Sequence, residues 1–213
     1  MHIRRNALTA GLAMIVMTIL LGVIYPLVVT GISQVAFPGN ANGQQVKVDG
    51  KLAGSKIIGQ QFAIQVIKNG NAVTAPDPKY FQTRPSATVP PDNDAATTFS
   101  NLGPNNIATE QEIAANIKAY LALEKPYDPG LTTAQVPVDA ADSSASGVDP
   151  DISQANAWIQ AHRVAAVRHL SLSKVMQLIS QYTTARSLGI FGEPGVNVLE
   201  LNLALDRLAG GRS

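Results

Sequence analysis

The chain has 213 residues, 46% hydrophobic and only 15% charged, with a formal net charge of +1. That length suits one domain, or one domain with an appendage, and the near-neutral balance argues against the basic face that nucleic-acid binding needs. No cysteine is present, which excludes disulfides, thiolate zinc sites, iron–sulfur clusters and cysteine nucleophiles.

The shortage of charge is uneven. After Arg4 and Arg5 no charged residue occurs until Lys47, so positions 6–46 are uncharged. The run from Ala7 to Thr30 is apolar on every side. A bilayer core about 30 Å thick needs about 20 such residues in a helix, and 24 residues at 1.5 Å rise cover about 36 Å. A cleaved secretory signal would have a shorter apolar region ending in a small-x-small site. Here the run is longer, and no clean A-x-A follows it, so it reads as an uncleaved transmembrane helix. Arg4 and Arg5 before it keep the N-terminus cytoplasmic. The expected layout is a cytoplasmic N-terminus at 1–6, a transmembrane helix at 7–30, a link at 31–43 and an extracytoplasmic (periplasmic) domain at 44–213. Pro26 should bend the exit turn, Tyr25 suits the headgroup level, and Gly11 and Gly22 leave flat spots for another helix.

Phe37-Pro38-Gly39 through Gly43 reads as a turn-rich link. Residues 45–53 read as a hairpin, because Asp49-Gly50 supplies the positive φ that a type I′ turn requires. Its second strand should run on through Ser55-Lys56-Ile57-Ile58. Residues 68–107 are punctuated by Asn69-Gly70, Asp77-Pro78, Arg84-Pro85, Pro90-Pro91-Asp92-Asn93 and Gly103-Pro104-Asn105-Asn106. With Tyr80, Phe81, Val89, Phe99 and Leu102 as anchors, this stretch reads as ordered but irregular. Thr109 to Glu112 fits a capping box. Ile113, Ile117, Tyr120 and Leu121 then lie on one helical face, and Lys125-Pro126 ends the helix. Residues 126–150, rich in Pro, Ala, Ser and Asp, read as a surface stretch or loop. Ser153 can cap a helix through Trp158, Ile159 and Val164, and Ser171 another that Leu188-Gly189 stops. The tail fits two periods. Leu199, Leu201, Leu203 and Leu205 alternate as a strand would, whereas Val198, Leu201, Leu205 and Leu208 fit a helix face with Asn197 and Glu200 as its cap. The fold class is α+β: one N-terminal transmembrane helix, then one domain with an early hairpin and several short helices.

Motifs that carry chemistry are sparse. Ser171-Leu172-Ser173-Lys174 matches S-x-x-K, but the companion S-D-N and K-T-G are missing, so a helix cap explains it better. His162 and His169 are seven apart, and no carboxylate completes a metal set. Asp139, Asp142, Asp149 and Asp151 miss the calcium-loop template and read as an exposed linker. Neither a G-x-x-x-x-G-K-[ST] loop nor G-x-G-x-x-G occurs, so the chain has no phosphate-binding loop of its own.

An ordered set of short stretches resembles one family. They are Tyr25-Pro26-Leu27-Val28-Val29-Thr30-Gly31, Gly54-Ser55-Lys56-Ile57-Ile58-Gly59-Gln60, Tyr80-Phe81-Gln82-Thr83-Arg84-Pro85-Ser86-Ala87, Ser100-Asn101-Leu102-Gly103-Pro104, Ala145 through Ser153, Arg163-Val164-Ala165, and Gly192-Glu193-Pro194-Gly195-Val196-Asn197-Val198-Leu199. Each is weak, but together, in order and across essentially the whole chain, they resemble the C subunit of the Kdp-type potassium-transporting ATPase of bacteria. The chain departs from the family at Asn105-Asn106, where an Asn-Pro is usual, at Asp151, where a histidine is usual, and around Ala140–Ser144.

The resemblance implies a noncatalytic subunit of a high-affinity, ATP-driven potassium uptake complex in the bacterial inner membrane. Its implied partners are a potassium-conducting subunit, a P-type ATPase catalytic subunit and a very small hydrophobic subunit, with no nucleic acid. It implies no cofactor of the chain's own, with ATP and potassium acting at the level of the complex. The family's C subunit is described as a catalytic chaperone that raises the ATP affinity of the ATPase subunit. An outward domain cannot touch cytoplasmic ATP, so either the coupling passes through the membrane helices or part of that description is wrong. The outer domain fits better over the outer mouth of the potassium-conducting subunit. The residues the resemblance nominates for structure or subunit contact are Tyr80, Phe81, Arg84, Pro85, Ser86, Asn101, Gly103, Pro104, Asp149, Pro150, Glu193, Pro194 and Asn197. Arg84 precedes a proline, which favours an extended backbone there. It either pins the loop to its own domain or meets the potassium-conducting subunit. The readings from other classes are a membrane-anchored periplasmic hydrolase or binding domain, for which no catalytic set is visible, and a purely structural anchor.

Overall fold

The computed structural model describes residues 2–88, 91–93, 95 and 101–210. Val89 and Phe99, expected as anchors, lie outside the described residues. The chain divides between Ala53 and Gly54 into two compact units.

In the first unit, α1 (His2–Ile19), a π-helical turn (Leu20–Ile24) and α2 (Tyr25–Ala36) make one helix long and apolar enough to cross a membrane. It outruns the expected 7–30 at both ends, because nothing in the sequence breaks it before Phe37-Pro38. The π turn is the response to Pro26. Proline has no N–H, and its ring crowds the carbonyl four residues back. Here the Tyr25 N–H reaches Leu20 O instead, widening the preceding turn. The stretch expected as a turn-rich link is largely helical: after α2 comes the short α3 (Pro38–Ala41), whose end Asn42 closes by donating from Nδ2 to Pro38 O at 2.7 Å. The hairpin β1 (Gln45–Val48) and β2 (Lys51–Ser55) forms as read, with Asp49 at φ 50° and Gly50 at φ 77°. β2 stops at Ser55 rather than continuing through Ile58, since the chain turns at Lys56-Ile57.

The second unit holds a hairpin whose second strand falls in the stretch 68–107, which is therefore not irregular throughout. β3 (Ala63–Lys68) pairs antiparallel with β4 (Asn71–Pro76), Lys68 facing Asn71. Asn69 and Gly70 take φ 52° and 80°, the same left-handed pair as in the first hairpin. α4 (Ile107–Glu124) starts three residues earlier than a Thr109 cap would have it. Its cap is Asn106, whose Oδ1 accepts from Ala108 N at 2.8 Å, while the Thr109 hydroxyl donates to Gly103 O. The stretch 126–150 is ordered and partly internal. A 3₁₀ turn at Thr133–Gln135 and α5 (Val138–Ala141) bury Leu131, Ala140 and Ala141.

β5 (Asp151–Ile152), β7 (Gly195–Asn197) and β6 (Thr183–Thr184) form an antiparallel sheet in the order β5-β7-β6. α6 (Gln154–Val167) and α7 (Leu172–Gln181) begin where read, capped by Ser153 on Asn156 N and Ser171 on Lys174 N. α7 ends at Gln181, well before Leu188-Gly189, because Thr183 turns away to pair with β7. The tail is α8 (Val198–Gly210), with Asn197 Oδ1 accepting from Glu200 N at 3.1 Å. The helical period wins because Val198, Leu201 and Leu205 all point into the core at 0% exposure. That core joins one face each of α6, α7 and α8 to Phe81, Ile152 and Val196.

Candidate functional site

The centre of the second unit is polar. Arg163 on α6 is 0% exposed and Glu124, at the end of α4, only 1%. Arg163 Nε donates to both Glu124 oxygens at 2.9 and 3.1 Å. Its Nη1 donates to Pro78 O and Tyr80 O, and its Nη2 to Gln160 Oε1. One guanidinium thereby ties α4 and α6 to the stretch 78–80. A planar fork of five N–H groups is what this requires, and only arginine has it. Burial pushes the Glu124 carboxyl up, and Arg163 pulls it back without cancelling the shift.

The network continues along α6. Gln160 Oε1 accepts from Gln82 N at 2.7 Å, and its Nε2 donates to Gln82 O and Asn156 Oδ1. Asn156 Oδ1 also accepts from the Tyr120 hydroxyl, and its Nδ2 donates to Asp139. Burial, reinforced by Glu124, drives the Tyr120 phenol well above its usual pKa. Asp139 in turn accepts from Ser153 N and Ser153 Oγ, both at 2.8 Å. These are not the contacts of an exposed linker. Asp149 and Asp151 are likewise engaged, by Arg84 and by Asn197.

The nominated residues sort into three groups. Tyr80, Phe81, Arg84, Pro85 and Ser86 lie on one irregular stretch fastened to the core. Phe81 is 0% exposed, and its N–H and C=O both bond the Asn202 amide, at 2.9 and 3.0 Å. The Tyr80 hydroxyl donates to Asp206 at 3.2 Å, with the Arg168 guanidinium 4.6 Å from its ring centroid. Burial, then Asp206, raises the Tyr80 pKa. Arg84 pairs with Asp149 at 3.5 Å and donates to Ser143 O and Asp142 O. The Ser86 hydroxyl donates to Gly147 O at 2.8 Å. Pro85 and Ser86, with Arg84, Asp92, Glu112 and Tyr120, border a cleft of about 380 Å³. Burial also raises the Asp92 carboxyl, against hydrogen bonds from Thr83 and Ser86.

Asp149, Pro150 and Asn197 meet around β5. Asp149 Oδ1 accepts from Asp151 N, Pro150 O accepts from Val198 N, and Asn197 Nδ2 donates to Asp151 Oδ1 and Lys56 O. Gly59 N donates to Val148 O at 2.7 Å, and a Cβ at Gly59 would lie 2.8 Å from Asp149 O, so the strand-like approach there requires glycine.

The third group is Asn101, Gly103, Pro104, Glu193 and Pro194. Asn101 and Pro104 border a groove of about 490 Å³ with Asp142–Ala145, and Gly103 O accepts from Asn106 N. Glu193 pairs with Arg186 at 2.6 Å on an exposed loop that also carries Pro194.

Sequence reasoning passed over Arg163 as a site residue, together with Glu124, Gln160, Asn156 and Asn202. Their signal was polar residues on otherwise apolar helical faces, and Arg163 stood in one of the family stretches. His169, at φ 55°, is the left-handed residue that ends α6, with Leu170 N bonded to Ala165 O and His169 N to Ala166 O. Among the described residues no cluster of three or more His, Asp or Glu side chains could hold a metal. The polar groups of this network spend their hydrogen bonds on one another and on the backbone, which holds the shape of the unit.

These features define a class: a small α+β protein with one long apolar helix and an internal polar scaffold. The family model described as "KdpC: K+-transporting ATPase, c chain" matches residues 7–207. The chain is 46% identical to the Potassium-transporting ATPase KdpC subunit of Herpetosiphon aurantiacus, over 92% of this chain and 93% of that one. It is 46% identical to the protein of the same name from Methylococcus capsulatus (93% and 96% covered) and 44% to that of Mycobacterium tuberculosis (96% and 100%). The chain belongs to the KdpC family. It is an accessory subunit of a K+-transporting ATPase, not the catalytic chain.

Proposed function

We propose that this chain is held in the bacterial inner membrane by its N-terminal helix, with its N-terminus cytoplasmic and its main domain outside. There it assembles with a potassium-conducting subunit, a P-type catalytic subunit and a small hydrophobic subunit, and stabilises their complex. The observation that carries this reading is the charge asymmetry around the helix: Arg4 and Arg5 precede it, and no basic residue follows until Lys47. ATP and potassium act at the level of the complex. With no phosphate-binding loop of its own, the chain raises the ATP affinity of its catalytic partner indirectly, through contacts within the membrane. Its outer domain covers the outer mouth of the potassium-conducting subunit.

Two measurements test this. A cysteine in place of exposed Ala145 reacts with an impermeant thiol reagent in intact spheroplasts; labelling only after lysis rejects the topology. Omitting the chain from the purified complex raises the KM for ATP and lowers potassium-stimulated hydrolysis; unchanged kinetics reject the chaperone role.

A further inference from the structure

Two Asn-Gly dipeptides occur in the chain, Asn42-Gly43 and Asn69-Gly70. Glycine has no Cβ, so its amide nitrogen can reach the preceding side chain. Attack of that nitrogen on the asparagine Cγ closes a five-membered succinimide. The bond from Cγ to the side-chain nitrogen breaks, and ammonia leaves with the glycine amide proton. Water then opens the ring. Opening at Cγ gives aspartate; opening at the main-chain carbonyl carbon gives isoaspartate, whose chain runs through the former side chain. Water is the only co-reactant, which is why asparagine counts among the thermolabile residues. The step needs both the carboxamide and the glycine N–H to be free.

The fold treats the two dipeptides differently. Asn42 closes α3 with its carboxamide engaged through both atoms. Its Nδ2 donates to Gln34 Oε1 at 3.1 Å and to Pro38 O at 2.7 Å, and its Oδ1 accepts from Gln34 Nε2 at 3.3 Å. The attacking nitrogen is occupied too, since Gly43 N donates to Asn40 O at 3.1 Å. Asn69 has no such restraint. Among the described residues its side chain has no hydrogen-bond partner, and Gly70 N lies between the paired positions Lys68 and Asn71, outside the ladder. A closed type I′ turn fixes the dihedrals of both residues, so attack requires the turn to loosen. The hairpin allows that. β3 and β4 form a two-stranded sheet with no buried side chain, a unit that is marginal in water and opens locally at low cost.

We propose that Asn69 is a site of spontaneous covalent modification, deamidating to aspartate and isoaspartate as the protein ages, while the fold protects Asn42. Either product places a new negative charge beside Lys68. Isoaspartate does more. It adds a methylene to the main chain inside a two-residue turn whose length sets the register of the hairpin. The pairing of Lys68 with Asn71 is the first to be lost. Neither strand contributes to the hydrophobic core, so the rest of the second unit survives the lesion and older copies of the chain accumulate it.

The test uses the purified full chain in detergent, held for weeks at mildly alkaline pH, where the glycine nitrogen deprotonates more readily. Peptide mapping by mass spectrometry reads the mass gain of amide-to-acid exchange at each site. Enzymatic methyl transfer from S-adenosylmethionine counts isoaspartate. Asn69 should convert at least about tenfold faster than Asn42, because the hydrogen bonds that guard Asn42 must break first. Short synthetic peptides spanning each dipeptide supply the unfolded reference and should convert at similar rates. Equal conversion of the two sites in the folded chain, faster loss at Asn42, or no loss at either would overturn the proposal. Peptides that differ by the same factor as the folded sites would also overturn it, since sequence and not fold would then decide. Aspartate formed without isoaspartate would exclude the succinimide and overturn the route. Asn69→Gln, whose longer side chain closes a ring far more slowly, should remove most of the methyl acceptance. Acceptance at the unaltered level would place the lesion elsewhere and overturn the assignment.

Discussion

Asn202 holds Phe81 by both of its backbone polar groups across 121 positions of sequence: Phe81 N donates to Oδ1 at 2.9 Å, and Nδ2 donates to Phe81 O at 3.0 Å. A side-chain amide from α8 thus does for one loop residue what a neighbouring strand would do, and lets its phenyl ring enter the core. Replacing Asn202 with leucine leaves a buried N–H and a buried C=O unpaired. The cost should be about 2–4 kcal/mol, read as a lower denaturant midpoint for the full chain in detergent. A loss under about 0.5 kcal/mol would mean that water takes over both bonds.

Arg163 and Glu124 test whether the buried pair is stabilising in itself or only costly to break. Arg163→Met strands the Glu124 carboxyl and the carbonyls of Pro78 and Tyr80, so it should cost about 3–5 kcal/mol. The double variant Arg163→Met with Glu124→Met removes the stranded charge and should recover part of that loss. A double variant as damaged as Arg163→Met alone would show that the carbonyls, not the carboxylate, carry the penalty.

Arg84 fastens its loop to 142–149 through two carbonyls and a carboxylate. Its side chain is partly exposed, so the ion pair is screened and the fork to the carbonyls matters more. Arg84→Lys keeps the charge and loses the fork, and should cost about 1 kcal/mol. Thermal melting of the full chain checks the loop-pinning role. An unchanged midpoint together with lost potassium-stimulated ATPase activity would move Arg84 to the subunit interface.

Asp151 gives a dependence on pH. Burial raises its folded pKa, with Asn197 pulling it down and Asp149 and Glu200 adding to the rise. A carboxyl so raised favours folding below its unfolded pKa, and this contribution is lost as pH climbs through the folded value. Asp151→Asn mimics the protonated form and can still accept from Asn197. Relative to the unaltered chain, the variant should therefore gain melting temperature between pH 4 and pH 7. A gap that stays constant or narrows over that range would contradict the raised pKa.

The membrane helix, the Asp49-Gly50 hairpin and the Ser153 and Ser171 caps were legible because each depends on residues within a few positions of one another. An uncharged run, a left-handed dipeptide and a serine before an apolar period act locally, whatever the rest of the chain does. Even the second hairpin had its Asn69-Gly70 signal, hidden by weak alternation in flanking strands that are largely exposed. The family was legible for a different reason: many weak stretches in fixed order.

Tertiary structure decided the rest. The tail carried two periods, and only a core that accepts Val198, Leu201 and Leu205 on one side makes it a helix. Leu188-Gly189 looked like the stop of α7, but pairing of Thr183 and Thr184 with β7 ended that helix earlier. Asp139 and Asp149 looked like solvated charge until the fold brought Ser153 and Arg84 to them. Arg163 shows the limit most clearly. Its partners Glu124, Pro78 and Tyr80 lie 39 to 85 positions away. Local propensity has no means of naming them, because the energy that selects arginine there exists only once all three segments are buried together.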